Sequence, residues 1–281
     1  MKKTSSDSLP SKQKYKPMPE NSLLITPIYA YSDNYIWCIS NDKQQAWVVD
    51  PGHAGVVETH LKNNTLSLEG ILITHHHWDH ITGISELTKH RDIPVYGPDS
   101  EKIQEITHPL YEGNTLSVFN RKVSVIQVPG HTKDHIAYLL SDENAPNALF
   151  CGDTLFSAGC GRLFDGTIHQ LYASLNTLST LNNDTKVYCT HEYTLANLEF
   201  AQAADPNNDA IKQEMIRVNT LDLNTTPSIP TTIEKEKAIN PFLRCDQLSV
   251  QQTVTRAKQL TADNITEEEY FIALRQWKDT F

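Results

Sequence analysis

Residues 74–80, Thr74-His75-His76-His77-Trp78-Asp79-His80, decide how this sequence is interpreted. They overlap the end of the apolar run 70–74, G-I-L-I-T, which predicts a buried strand. Four ligand types follow it in an H-x-H-x-D-H pattern: His75, His77, Asp79 and His80. Imidazole nitrogen and carboxylate oxygen together suit Zn, Fe and Mn. Because four such groups fall within six residues, we expect a metal site rather than a solvated, histidine-rich loop.

Three further candidate ligands occur in the same kind of place. His131, Asp153 and His191 each follow a short apolar run that predicts a strand. The carboxyl ends of strands are where layered α/β folds commonly gather their sites. An isolated histidine at a strand end is more often structural than a ligand. Together with the H-x-H-x-D-H pattern, however, these residues predict one cage of seven side chains.

The first two thirds of the chain alternate between apolar runs and turn residues. Strands are predicted at 23–28, 35–39, 46–49, 70–74, 122–128, 148–151 and 186–190, and helices at about 80–90 and 168–181. This mixture is typical of an α/β or α+β layered domain. After residue 191 the pattern becomes helical, with helices predicted at 194–204, 208–218, 247–260 and 266–278.

Three regions are therefore expected. Residues 1–21 are rich in Ser, Pro and Lys and predict a disordered tail, because they could bury almost nothing. Residues 22–192 form the metal domain. Residues 193–281 form a smaller helical domain.

Composition limits the partners and the compartment. The 281 residues carry a net charge of −10, so the chain lacks the basic surface that nucleic acid requires. No apolar run approaches the roughly 20 residues needed to span a bilayer. Five cysteines without a CxxC spacing predict reduced thiols and a cytoplasmic protein. The oligomeric state is open, with a monomer favoured.

Several motifs resemble one known family. T-H-H-H-W-D-H at 74–80, P-G-H-T at 129–132 and G-D-T at 152–154 resemble the metallo-β-lactamase superfamily. More specific are G-C-G-R at 159–162, H-E-Y-T at 191–194 and the terminal R-x-x-K-D-x-F at 275–281. These resemble glyoxalase II, the hydroxyacylglutathione hydrolase family, and the resemblance covers about residue 23 to the end.

The resemblance implies a fold and a ligand set. The fold is α+β: a four-layer αββα metallo-β-lactamase sandwich followed by a C-terminal helical domain. One divalent metal ion is held by His75, His77 and His131, and a second by Asp79, His80 and His191. Asp153 bridges the two ions together with a water or hydroxide. Zn is favoured, with Fe or Mn as alternatives, and Asp79 and Asp153 are the expected catalytic residues.

The resemblance also implies a substrate. It is a glutathione thioester, S-D-lactoylglutathione, cleaved to glutathione and D-lactate by the bridging hydroxide. The positions that contact glutathione correspond to Arg162, Tyr193, Arg275 and Lys278. Phe164 stands where animal members have tyrosine, so one hydroxyl contact is lost.

Other functions remain open at this stage. Cys160 within G-C-G is a rival nucleophile, but no histidine is next to it in sequence. A persulfide dioxygenase of the same superfamily would hold a single iron and lack the long helical domain. A non-catalytic metal-binding scaffold would bind metal without turnover.

Overall fold

The computed structural model describes residues 21–142, 145–261 and 264–281. The predicted disordered tail lies outside these ranges except for Asn21. The strands are β1 Leu23–Ala30, β2 Asn34–Asn41, β3 Gln45–Val49, β4 Ser67–Leu72, β5 Val95–Pro98, β6 His108–Leu110, β7 Thr115–Val118, β8 Arg121–Gln127, β9 Ile136–Leu140, β10 Ala148–Gly152, β11 Leu155–Phe156, β12 Gly159–Cys160, β13 Lys186–Cys189 and β14 Thr231–Thr232. The helices are α1 Ala54–Asn64, α2 Trp78–Ile81, α3 Ile84–Thr88, α4 Ile168–Ser179, α5 Thr194–Ala204, α6 Asp209–Asn219, α7 Ile233–Ile239, α8 Leu248–Lys258 and α9 Glu267–Lys278.

Two six-stranded sheets form the centre of the fold. The first has the order β1-β2-β3-β4-β5-β6, and the second has the order β14-β13-β10-β9-β8-β7. Strand β2 shows how the sheets are layered, because all eight of its residues are buried. Trp37 and Ile39 pack with side chains of the second sheet, whereas Ile36 and Cys38 pack against the opposite layer. Successive side chains of a strand point to opposite faces, so β2 is covered on both.

Helices cover the outer face of each sheet. Val57 and Leu61 of α1 and Leu87 of α3 pack on the first sheet. Leu171 and Leu175 of α4 belong to the core that contains the second sheet. The later helices join this side through contacts of α4 with α9 and of α5 with β12. The predicted αββα arrangement with a helical C-terminal region is therefore confirmed.

The direction of the strands gathers the predicted ligands. Strand β10 is parallel to β13, and β9 runs antiparallel to both β10 and β8. The carboxyl ends of β8, β10 and β13 therefore meet at one edge of the second sheet. The segments that follow them carry His131, Asp153 and His191. Strand β4 of the first sheet leads into the segment 74–80.

Some predicted elements were wrong in detail. The helix predicted at 80–90 is divided into α2 and α3 by Thr82-Gly83. The cause is a close approach of the loop after β3: the Gly83 N–H donates to Pro51 O at 3.0 Å, and a Cβ on Gly83 would lie 2.2 Å from that oxygen. Helix α1 was not predicted. Strand β14 and helix α7, which lie between the predicted helices 208–218 and 247–260, were not predicted either.

Within the described ranges, the helices are all too short or too polar to cross a lipid bilayer.

Candidate metal centre

Three imidazoles converge on one point. His77 Nδ1 lies 3.1 Å from His75 Nε2 and 3.0 Å from His131 Nε2. The Asp153 carboxylate completes the group, with Oδ2 at 3.4 Å from His131 Nε2. One atom from each of these four residues lies within 4.8 Å of the others. Three nitrogens and one oxygen at such spacing fit a single metal ion.

A second group lies beside the first. His80 Nε2 and His191 Nε2 lie 3.5 and 3.6 Å from Asp79 Oδ2. Asp153 faces this group as well, with Oδ2 at 3.4 Å from His191 Nε2 and Oδ1 at 3.7 Å from His80 Nε2. The Asp153 carboxylate is therefore within reach of both groups. All seven residues predicted as ligands lie together.

One atom of the second group tests whether a metal ion fits. His80 is almost completely buried, and its Nε2 has no hydrogen-bond partner among the described residues. Its other nitrogen, Nδ1, is 3.1 Å from Asp50 Oδ2 and donates to it. A buried nitrogen with a free lone pair costs free energy unless something binds it. His80 Nε2 lies near the carboxylates of Asp79 and Asp153. A bound cation would therefore satisfy the nitrogen lone pair and balance the two negative charges.

The outer nitrogens of three other cage histidines are also held. His131 Nδ1 donates to Arg162 O at 2.7 Å, and His191 Nδ1 donates to Asp33 Oδ1 at 2.7 Å. Such hydrogen bonds fix the tautomer and leave Nε2 free to bind a metal. For His75, Nδ1 lies 3.0 Å from the Thr74 hydroxyl, which itself donates to Asp50 at 2.6 Å.

Asp50 and Asp33 were not among the predicted site residues. Asp50 Oδ1 accepts the Thr74 N–H at 2.7 Å, and Oδ2 accepts from Thr74 and His80. The carboxylate therefore orients two members of the cage, although it also lies close enough to His75 and His80 to count as a ligand. The Asp50-Pro51-Gly52 sequence was visible but indicated only a turn. Asp33 gave no sequence signal for its contact with His191.

His135 is a further buried residue that the sequence did not single out. Its ring is stacked on that of His75, with centroids 4.6 Å apart, and its Nε2 accepts the Asp153 N–H at 3.1 Å. Gly152 makes this contact possible. Its φ is +50°, and a Cβ there would lie within 2.8 Å of His135 and Thr74 atoms. A side chain at position 152 would therefore displace Asp153.

The charges of the cage favour a bound cation. Burial raises the pKa of the Asp153 carboxyl, but the neighbouring His191 and His80 have the larger combined effect and hold this pKa well below its usual value. The carboxylate is therefore ionised. Burial and the neighbouring His131 lower the pKa of His77 to about 4. Its imidazole is therefore neutral near pH 7, which is the form that binds metal. Burial lowers the pKa of His191, but Asp153 and Asp33 raise it to about 9, which reflects the excess of negative charge around it.

The predicted substrate residues share a cavity with the ligands. Arg162, Tyr193, Arg275 and Lys278 line a space of about 560 Å³ that also reaches His77, Asp79 and Asp153. Arg275 is nearly fully buried and donates to Cys160 O at 3.2 Å and to Asp279 Oδ1 at 2.9 Å. Lys278 Nζ donates to Ala196 O at 3.1 Å. Helix α9 therefore brings two cations to the cavity, because residues three positions apart lie on one face of a helix.

Cys160 also lines this cavity. Only 6% of the residue is exposed, and its Sγ lies 3.5 Å from Arg275 Nη1. Burial raises the pKa of the Cys160 thiol, and Arg275 offsets only part of this effect. A protonated thiol is a poor nucleophile. All five cysteines are buried and free of disulfide bonds.

Three residues beside the cage are not among the predicted ligands. His76 Nδ1 lies 2.8 Å from Asp134 Oδ1, outside the cage. Phe164 is exposed, and its ring lies 4.5 Å from that of His77 and 5.1 Å from that of His131. Trp78 lines the cavity.

Comparison with known proteins shows the family to which this chain belongs. Residues 34–191 match the model of the metallo-beta-lactamase superfamily, and residues 192–281 match the model described as hydroxyacylglutathione hydrolase C-terminus. The hydroxyacylglutathione hydrolase of Aliivibrio salmonicida is 50% identical over 260 residues, which cover 92% of this chain and 100% of the relative. The chain belongs to the hydroxyacylglutathione hydrolase family. The family member from Hahella chejuensis is 45% identical, over 92% of this chain and 99% of its own.

Solved structures agree on the fold. The BLEG-1 B3 metallo-beta-lactamase is 26% identical, with a TM-score of 0.59 over 79% of this chain and 99% of its own. ETHE1 from Myxococcus xanthus is 24% identical, with a TM-score of 0.61 over 91% of this chain and 99% of its own.

Proposed function

We propose that this protein hydrolyses glutathione thioesters, with S-D-lactoylglutathione as substrate and glutathione and D-lactate as products. The observation that carries the proposal is one cavity lined by five of the seven cage residues and by three cations, Arg162, Arg275 and Lys278. A thioester of glutathione needs both: an activating centre at its carbonyl and positive charge for its carboxylates. The names of the relatives support the same reaction.

The cage would hold two divalent ions, of which Zn is favoured. His75, His77 and His131 would bind one ion, Asp79, His80 and His191 the other, and Asp153 both. When bound, such ions lower the pKa of a water molecule and stabilise negative charge on a carbonyl oxygen. Asp153 Oδ2 lies 3.4 Å from His131 Nε2 in the first group and 3.4 Å from His191 Nε2 in the second, which supports the shared role.

The side chains of the protein would orient the reactants. Asp79, whose Oδ2 accepts from Asn34 Nδ2 at 2.9 Å, keeps a fixed orientation at the edge of the cavity and can accept a hydrogen bond from the attacking water. Asp153 can do the same with an oxygen not engaged by Thr190. The thiolate of glutathione is already a good leaving group, so the chain needs no general acid with a strongly raised pKa.

Substrate recognition would depend on Arg162, Tyr193, Arg275 and Lys278. The exposed ring of Tyr193 is stacked on His191, which places an aromatic face beside the metal residues. Phe164 contributes an apolar edge in place of the hydroxyl that animal members have.

We further infer a two-unit organisation, a metal-binding unit at 22–192 and a helical unit at 193–281 that completes the cavity with Arg275 and Lys278. The five unpaired, buried cysteines are consistent with a reducing cytoplasm. A monomer is favoured, since the cavity is complete within one chain.

The decisive experiment measures metal content and thioester hydrolysis on the same sample. Two ions per chain, with release of glutathione from S-D-lactoylglutathione, are the expected result. One iron per chain, with oxygen uptake on glutathione persulfide and no thioester hydrolysis, would instead identify a persulfide dioxygenase. Two ions without turnover of either substrate would leave a metal-binding scaffold.

A further inference from the structure

An exposed indole lies beside the metal residues. Trp78 falls between the cage residues His77 and Asp79 and lines the same cavity, yet it is 63% exposed. Tryptophan is highly buried on average, and a large exposed ring at a cavity is a candidate for contact with a ligand. Trp78 is not one of the seven predicted metal ligands.

The indole is supported from behind. The ring of Tyr31 meets it edge to face, with centroids 5.0 Å apart and planes at 68°. The Tyr31 hydroxyl donates to Gly52 O at 2.7 Å, which anchors the supporting ring to the loop after β3. Tyr31 has a φ of +51°, a region that residues other than Gly, Asn and Asp seldom adopt. Backbone strain of this kind persists where the surroundings impose it, often at functional sites.

The position of Trp78 relative to the reaction follows from its neighbours. Under the proposed function, the thioester carbonyl must reach the cage, and the anionic glutathione half must reach Arg162, Arg275 and Lys278. Arg275 and Lys278 belong to α9, whereas Trp78 belongs to the segment that carries His77 and Asp79. Trp78 lines the cavity together with His77 and Asp79. The indole carries no charge and offers an apolar surface to the acyl substituent.

We propose that Trp78, supported by Tyr31, is a specificity-determining residue for the acyl half of the substrate. Its contribution to kcat/KM is larger for thioesters whose acyl group carries an aromatic or bulky apolar substituent next to the carbonyl than for those with a methyl group there. This inference rests on the proposed function, but it concerns the choice among acyl groups rather than the reaction.

The test compares two thioesters that differ only in this substituent. S-mandeloylglutathione carries a phenyl ring where S-D-lactoylglutathione carries a methyl group. In Trp78→Ala, kcat/KM for the mandeloyl compound should fall at least tenfold more than that for the lactoyl compound, since an aromatic contact is lost. Trp78→Phe should restore most of the selectivity. Ile216→Ala removes an equally exposed apolar side chain from α6, distant in sequence from the cage, and should leave both values unchanged.

A binding measurement separates recognition from turnover. S-benzylglutathione and S-methylglutathione are thioethers that cannot be hydrolysed, and their dissociation constants can be measured by calorimetry with the metal-loaded protein. Trp78→Ala should weaken the benzyl compound about tenfold relative to the methyl compound. Metal content should match the wild type in every variant.

The outcomes distinguish the two proposals. If the wild type hydrolyses the lactoyl thioester and Trp78→Ala keeps the wild-type ratio of mandeloyl to lactoyl kcat/KM, the inference about Trp78 is wrong and the proposed function stands. An equal loss on both thioesters, with reduced metal content, would show a structural role and would also overturn it. A metal-loaded wild type that hydrolyses neither thioester would overturn the proposed function, and the inference with it.

Discussion

Asp50 Oδ2 lies 3.1 Å from Nδ1 of His80, and both side chains are almost completely buried. The same carboxylate accepts from the Thr74 hydroxyl and N–H. Asp50 therefore accepts three hydrogen bonds, one from the cage residue His80 and two from Thr74, which directly precedes the cage residue His75. This contact makes the orientation of His80 dependent on a residue that lies outside the H-x-H-x-D-H pattern.

Replacement of Asp50 by asparagine should weaken metal binding. An amide cannot accept from all three donors, because one of its atoms is an NH₂ group. Loss of such outer contacts typically costs about 10–100-fold in metal affinity or activity. Metal titration of Asp50→Asn against the exposed control Asp209→Asn would measure the effect. Equal affinity in both variants would exclude the orienting role of Asp50.

Asp153→Ala should have a larger effect than Asp50→Asn. The substitution removes oxygens that lie 3.4 Å from His131 Nε2 and 3.4 Å from His191 Nε2, one nitrogen in each group. We expect activity to fall more than about 100-fold and metal content to fall as well. Elemental analysis together with the thioester assay checks this. Two retained ions with near-normal turnover would contradict the assignment of Asp153 as a shared ligand.

Lys278→Ala should impair recognition of glutathione. Lys278 is half-buried at the cavity, and its Nζ donates to Ala196 O at 3.1 Å. Loss of one charged hydrogen bond to substrate should raise KM for the glutathione thioester about 10–150-fold. Arg275 is a poorer probe, because it is buried against Cys160 and its removal also costs stability. A small thioester without glutathione serves as the control substrate and should show little change. An unchanged KM in a folded Lys278→Ala protein would count against the glutathione assignment.

Cys160→Ser should leave turnover within about tenfold of the wild type, because the cage and not the thiol activates the nucleophile. Burial keeps the Cys160 thiol protonated near pH 7. Mass spectrometry after rapid quenching provides the second measurement. An acyl group trapped on Cys160 would require a different mechanism.

Glu236 should make stability depend on pH. Its carboxylate accepts from Thr231, Asn240 and the Ala158 N–H, but complete burial dominates and raises its pKa to about 7. Between about pH 4.5 and 7, Glu236 is therefore protonated in the folded state but ionised in the unfolded state, whose pKa is near 4.5. The contribution of this group is fully present below about pH 4.5 and is lost as the pH rises through about 7. It amounts to roughly 3 kcal/mol.

Glu236→Gln is the matched variant, since its amide oxygen can keep two of the donors while the group no longer titrates. Denaturant unfolding from pH 5 to 8 should show the wild type losing stability relative to Glu236→Gln. Parallel curves for the two proteins would show that Glu236 is ionised throughout this range.

The close approach of the cage residues could be predicted from the sequence, because these residues directly follow strands. His131, Asp153 and His191 could be predicted to meet, since each comes directly after an apolar run and strands of like direction end at one edge. Asp50, Asp33 and His135 could not be predicted in the same way. Their contacts join residues 18 to 158 positions apart, so no local periodicity predicts them.

The same distinction explains the errors in the fold. Helices α4 and α9 are continuous, and both were predicted from the sequence within two residues at each end. The division at Gly83 depends instead on the Pro51 carbonyl, more than 30 positions away in the sequence.

The cage residues are divided between the two sheets. The segment after β4 supplies four of them, and the segments after β8, β10 and β13 supply three. Ions bound by all seven would cross-link the two halves of the sandwich, so metal binding and folding would be linked. An ion present at 1,000 times its dissociation constant adds about 4 kcal/mol to the free energy of unfolding. The supply of free metal would thus govern how long the folded enzyme survives in the cell, in addition to how fast it works.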